Sequence, residues 1–190
     1  MAAKVQKIQV AKKGQSESVS IPDGVSCSVD GNTITCTKGS VKLSRVLAEP
    51  SVNAKIDGNA IILSSKDASK RALKRIKSYV AHIHNIFKGL DENFVYKLEA
   101  CNVHFPMTMK VDKDKLAINN FLGEKSPRFA TIIPGVTVEV KGAVITVSSH
   151  DKEAAGQTAA NIEIATKVRN RDRRIFQDGI FMTEKAGVKI

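Results

Sequence analysis

Gly58-Asn59-Ala60-Ile61-Ile62-Leu63-Ser64-Ser65-Lys66-Asp67 recurs 84 residues later as Gly142-Ala143-Val144-Ile145-Thr146-Val147-Ser148-Ser149-His150-Asp151. In both copies a turn glycine precedes an apolar run of strand length, and Ser-Ser-x-Asp then offers the side-chain oxygens that favour a helix start. The same offset, taken without a gap, pairs Val19 with Val103, Pro22 with Pro106, Asp30 with Asp114, Ile34 with Ile118, Gly39 with Gly123, Pro50 with Pro134 and Val52 with Val136. Turn glycines, strand-ending prolines and apolar strand positions are not what chance would select. The pattern predicts an α+β chain of two tandem, duplicated domains, each a small, mainly antiparallel sheet packed on one helix. The expected boundaries are 1–92 and 93–168, with 169–190 a basic and aromatic extension packed on the second domain.

Within the first copy, Val25 to Thr37 alternates around Asp30-Gly31-Asn32, a hairpin signal. A Gly31-Asn32 loop would set Cys27 opposite Cys36, and an Asp30-Gly31 loop would set it opposite Ile34. Residues 67–90 read as a helix, because Leu73, Ile76, Val80, Ile83, Phe87 and Leu90 form one stripe at helical spacing. Ser65 or Asp67 suits its N-cap and Gly89 its C-terminal end. Lys70, Arg71, Lys74, Arg75 and Lys77 fill its other faces. The second helix, 151–168, carries Ala154, Ala155, Gly156, Ala159 and Ala160 instead of long side chains, so another surface can approach it closely.

Charge narrows the function. Of 190 residues, 30 are Lys or Arg and 19 Asp or Glu, a net charge of +11 that calls for a polyanionic partner. Residues 1–94 hold 15 cations against 8 acids, 95–166 hold 8 against 8, and 167–190 hold 7 against 3. The start, Met1 to Gly14, is Lys-rich and acid-free, like an organelle transit peptide, although those favour Arg and Ser. No apolar run has the length of a membrane span. Three cysteines without CxxC spacing point to free thiols in a reducing compartment. His82 and His84, two apart on a helix, diverge too far to share a metal. No phosphate-binding Gly-Lys-Ser/Thr loop, HExxH or Gly-x-Ser-x-Gly elbow occurs, so no enzyme, cofactor or metal is expected. RNA-recognition aromatics are missing as well, which favours phosphate and shape contacts over base stacking.

Two stretches concentrate binding chemistry. Lys167-Val168-Arg169-Asn170-Arg171-Asp172-Arg173-Arg174 places five cations within eight residues and runs directly into Ile175, Phe176, Ile180, Phe181 and Met182. Such apolar residues would pin the segment while guanidinium forks face phosphate oxygens. Asn119 to Phe129 is a loop mixing amides, two Phe and two cations.

These residues carry a family resemblance. Arg171 and Arg174-x-Phe176-x-Asp178-Gly179-Ile180-Phe181-Met182-x-x-Lys185 resemble the C-terminal signature of the large-subunit ribosomal protein six family, in its eukaryotic and archaeal form. Ile21-Pro22, Phe94-x-Tyr96-Lys97, His104-Phe105-Pro106, Asn120-Phe121-Leu122-Gly123-Glu124-Lys125 and Pro134-Gly135-Val136 agree with it across nearly the whole chain. Ile164, where Gln is expected, and Gly39-Ser40-Val41-Lys42, without Gly-Pro-(Arg/Lys)-Gly character, depart from it. The resemblance implies a non-catalytic structural protein of the large ribosomal subunit, acting in translation in the cytoplasm. It implies contact with rRNA mostly through the second domain and tail, near the factor-binding region and the sarcin-ricin loop. Expected RNA-binding residues are Lys167, Arg169, Arg171, Arg173, Arg174, Lys185, Asn120, Lys125, Arg128, Lys70 and Lys74. Expected partners are large-subunit rRNA and neighbouring ribosomal proteins, with no membrane, small-molecule substrate or homo-oligomer. A free-standing regulatory RNA-binding protein and a nucleic-acid-processing enzyme are the alternatives.

Overall fold

Gly31-Asn32, with Gly31 at φ +59°, closes the hairpin between β2 (Ser26–Asp30) and β3 (Thr33–Lys38), so Cys27 stands opposite Cys36 with the sulfurs 2.7 Å apart. The structure, a computed structural model, describes residues 14–172 and 174–190. The Lys-rich start up to residue 13 lies outside the described residues. Before the hairpin runs β1 (Gln15–Ser20), and after it β4 (Val41–Val46), β5 (Val52–Asp57) and β6 (Ala60–Ser65). They form two antiparallel sheets, β1-β6-β5 and β2-β3-β4. Helix α1 (Lys70–Asp91) follows, and Ile76, Ile83 and Phe87 of its stripe are buried, as are Ile34, Ile61 and Leu63 of the strands and Leu47 just after β4. Tyr79 Oη accepts from the Glu49 amide and Arg75 pairs with Glu49 at 3.3 Å, tying the helix to the β4–β5 connection.

A second compact unit begins at Lys88, inside α1, the first ending at Phe87. It holds β7 (Phe94–Cys101), β8 (Thr108–Asp112), β9 (Lys115–Asn119), β10 (Arg128–Thr131), β11 (Thr137–Lys141), β12 (Val144–Ser149), α2 (Lys152–Ala165), β13 (Gly179–Lys185) and β14 (Val188–Lys189). The sheets are β8-β9-β10 and β11-β12-β7-β13-β14. The first repeats β2-β3-β4, and β7-β12-β11 repeats β1-β6-β5, so the topology is duplicated. What differs is β13, which adds to the edge of β7 whose counterpart on β1 has no strand partner among the described residues. The C-terminal stretch therefore supplies a strand of the sheet.

The gapless offset of 84 is correct only in the second half of the repeat. Ile56 and Ile61 pair as Val140 and Ile145 do, which is 84 residues on. But Leu98, not Val103, faces Ile145 as Val19 faces Ile61, and the Asp112/Lys115 turn answers Asp30/Thr33. Ile34 and Cys36 thus correspond to Leu116 and Ile118, and all four are fully buried. Strand pairing conserves register while connections change length, so identities at Val103, Pro106, Asp114, Ile118 and Gly123 are not structural equivalents.

Local capping also differs from expectation. Ser65 and Ser149 hydroxyls accept from the Asp67 and Asp151 amides in both copies, and Asp151 caps α2 by accepting from Glu153 N–H. The α1 cap is Ser69, whose Oγ accepts from Ala72 N–H. Gly89 lies within the last turn of the helix rather than past its end, and glycine is required there because a Cβ would stand 2.0 Å from the His150 carbonyl oxygen. His150 Nδ1–H donates to the Gly89 carbonyl at 2.7 Å. The small residues of α2 are used internally. Ala155 and Ala159 are fully buried and Gly156 receives the Tyr96 ring, whose hydroxyl would lie 3.1 Å from an added Cβ. That burial, together with the Asp151 charge, raises the Tyr96 phenol above its usual range.

Candidate nucleic-acid interface

At the end of α2, Thr166 is almost fully buried and joins the helix to β13: its hydroxyl donates to the Glu163 carbonyl at 3.2 Å and accepts from Ile180 N–H at 2.9 Å. The basic stretch leaves from this fixed point. Asn170, at φ +57°, reverses the chain, and Asp172 then closes a turn: its carbonyl accepts from the Ile175 and Phe176 amides, and its carboxylate from Arg174 N–H. The described part of the segment is a folded turn, not an extended tail.

Lys167, Arg169, Arg171 and Arg128 line one groove floored by Leu122, Phe129, Ile164 and Ala165, and Glu124 is the carboxylate among its described lining residues. Four cations against one anion concentrate a positive field in a unit whose 95–166 body is charge-balanced. The cations are not equivalent. Arg128 grips Glu124 with Nε and Nη2 at 2.8 and 2.6 Å, donates from Nη1 to the Ala165 carbonyl at 2.9 Å, and lies 4.3 Å over the buried Phe121 ring. Its charge sits at the negative end of α2. The hydrogen bonds from Arg128 hold the Glu124 carboxyl below its ordinary range, against some burial and with help from the Arg128 and Arg171 charges. Asn120 and Leu122 adopt left-handed backbone at φ +58° and +50°, a local strain of about 1–3 kcal/mol each that the buried Phe121 plug and the Asn120 side-chain bond to the Pro106 carbonyl sustain.

A second cluster stands behind Arg171. Its guanidinium lies 4.7 Å over the Phe176 ring, and Phe176 stacks on His104 at 5.0 Å and 23°. Asp178, only 2 % exposed, accepts from the Val103 and His104 amides at 2.8 and 3.0 Å and from His104 Nδ1 at 2.5 Å. Burial alone would push the Asp178 carboxyl up, yet the hydrogen bonds from His104 and Val103 outweigh it and hold the group below its usual range.

Residues 105–179 match the family described as "Ribosomal protein L6". Over 171 residues, 90 % of this chain and 94 % of the relative, the sequence is 44 % identical to "Large ribosomal subunit protein uL6" of Methanococcus vannielii. The chain belongs to the ribosomal protein L6 family. The protein of the same name from Methanothrix thermoacetophila is 44 % identical over 165 residues, 87 % of this chain and 94 % of that one. L6 is a family of structural, non-enzymatic proteins.

In this L6 chain the expected RNA-binding residues separate into groups. Lys167, Arg169, Arg171 and Arg128 share the groove, with Arg128 committed to internal partners. Arg174 is exposed and paired with Asp172 at 3.4 Å. Lys125 is exposed in the loop, Lys185 is exposed at the end of β13, and Asn120 spends its amide on Pro106. Lys70 and Lys74 are exposed on α1 in the other unit. Arg173 lies outside the described residues. The expected apolar anchor holds only in part. Ile175 and Phe181 are 62 % and 36 % exposed, whereas Ile180 is buried. Period-two alternation on β13 explains this, since turning Ile180 to the core turns Phe181 away. His104 and Asp178 escaped the charge-based reading because their importance comes from a contact across 74 residues. The Asp178-Gly179 step in the signature was the signal that could have found them.

Proposed function

We propose that this chain is a structural constituent of the large ribosomal subunit, taking part in translation and gripping rRNA phosphates in the groove at the end of α2. The observation that carries the reading is the convergence of Lys167, Arg169 and Arg171 on one groove of an L6-family unit that is otherwise charge-balanced. Arg forks and a Lys ammonium suit phosphate oxygens. The family resemblance supports a position near the factor-binding region and the sarcin-ricin loop, in the cytoplasm, beside neighbouring ribosomal proteins. The unit from Lys88 onward is the RNA-binding domain on this reading, and Lys70 and Lys74 of α1 offer the other unit a separate, weaker contact. Sedimentation of tagged full-length protein, followed by ultraviolet cross-linking of the subunit fraction, tests the proposal. Near-stoichiometric residence in the large subunit, with cross-linked peptides spanning 167–171, is expected. Absence from ribosomes, or cross-links confined to α1, refutes it.

A further inference from the structure

We infer that Asp178 is a positioning residue for the RNA contact, acting through His104 and Phe176 to hold the Arg171 guanidinium in the groove. The inference rests on the reading of that groove as the rRNA interface.

Each link is a short-range contact. The buried Asp178 carboxylate gathers three donors from one loop, the amides of Val103 and His104 and the His104 ring. Two main-chain bonds and one side-chain bond fix both the loop and the imidazole plane, leaving little freedom at His104. The imidazole is stacked on Phe176, and Arg171 lies over that same aromatic ring. Asp172 supports the arrangement from the chain side, because its carbonyl accepts the Phe176 amide at 2.9 Å. Arg171 is otherwise exposed, and a long exposed side chain samples many rotamers. Resting the guanidinium on a ring restricts those rotamers, and a guanidinium held by its contact with a ring can still offer N–H donors to phosphate. Asp178 touches no RNA in this scheme. Its effect is to lower the ordering cost that Arg171 would meet on binding.

A mutant cycle on full-length protein, binding in vitro transcribed large-subunit rRNA, tests this. Arg171→Gln should weaken binding about tenfold and lower the slope of log affinity against log salt by about 0.7–0.9, the loss of one phosphate contact. Asp178→Asn should weaken binding several-fold. In the Arg171→Gln background it should cost less than twofold, because the group it positions is gone. Phe176→Leu, which keeps apolar bulk and removes the aromatic face, should behave as Asp178→Asn does and supplies the cycle if Asp178→Asn does not fold. A purely structural Asp178 would weaken binding by the same factor in both backgrounds. That additivity overturns the inference, as does unchanged affinity in Asp178→Asn and Phe176→Leu where Arg171→Gln is weak. Should Arg171→Gln itself bind normally, the groove reading falls, and this inference with it.

Discussion

Arg128→Gln separates structural cations from binding cations in the groove. The substitution removes a charged hydrogen bond to the Ala165 carbonyl, a cation placed 4.3 Å over Phe121, and a two-point grip on Glu124. A hydrogen bond from a charged donor contributes about 1.5–3 kcal/mol and the ring contact about 0.5–1 kcal/mol. The Glu124 pair adds little, because that carboxylate is 41 % exposed and solvent screens it. The loss should therefore be about 2–4 kcal/mol in the stability of the second unit. Native-state hydrogen exchange reads it directly: amides of β9 and β10 that open with the whole unit should exchange roughly 30- to 1,000-fold faster. The slope of rRNA affinity against salt should stay where it was, since the Arg128 guanidinium is already engaged by Glu124 and the Ala165 carbonyl. Lys167→Gln/Arg169→Gln should do the reverse, leaving exchange unchanged and lowering that slope by about 1.4–1.8. If Arg128→Gln lowers the salt slope by a full contact and leaves exchange untouched, its guanidinium serves RNA and the internal assignment is wrong.

Gly89→Ala should destabilise the protein, because overpacking of about 1–3 kcal/mol or more at 2.0 Å from the His150 carbonyl exceeds the roughly 1 kcal/mol gain in helix propensity. A raised urea midpoint would show that the helix and the β12–α2 turn do not meet as described. Asp178, whose carboxyl is lower in the folded protein than when unfolded, contributes stability above about pH 4 and loses it as pH falls through its folded value. Urea midpoints of wild type should then fall more steeply below pH 4 than those of Asp178→Asn, and parallel curves would contradict the assignment. The three cysteines are free, and native alkylation should label exposed Cys101 first, Cys27 next and buried Cys36 last, since burial raises both paired thiols. Mass spectrometry after unfolding without reductant should find all three alkylated, and a protected Cys27/Cys36 pair would overturn the free-thiol state.

The sequence by itself determined the β2–β3 hairpin, the apolar strand ahead of each helix, the two helices, the duplication and the concentration of charge after residue 166, whereas β13, read only as an extension, came from the fold. Those features are local: period-two and helical spacing, turn glycines at positive φ and Ser-Ser-x-Asp steps act over a few residues, so they are legible without a fold. The family signature at 171–185 was equally legible, being a contiguous motif. Tertiary structure decided the register of the repeat, because hydrogen-bond ladders keep Ile61 against Val19 and Ile145 against Leu98 whatever the loops between them do. It also decided what each cation touches. Arg128 and Arg171 look alike in sequence, yet one is folded against Glu124 and the end of α2 while the other rests on Phe176 and lines the groove. Likewise Phe121 and Phe129 fall in one stretch read as a loop, yet Phe129 lies on β10 and only Phe121 is buried. A side chain's partners come from residues dozens of positions away, and the free energy of a charge depends on those partners and on the water they exclude.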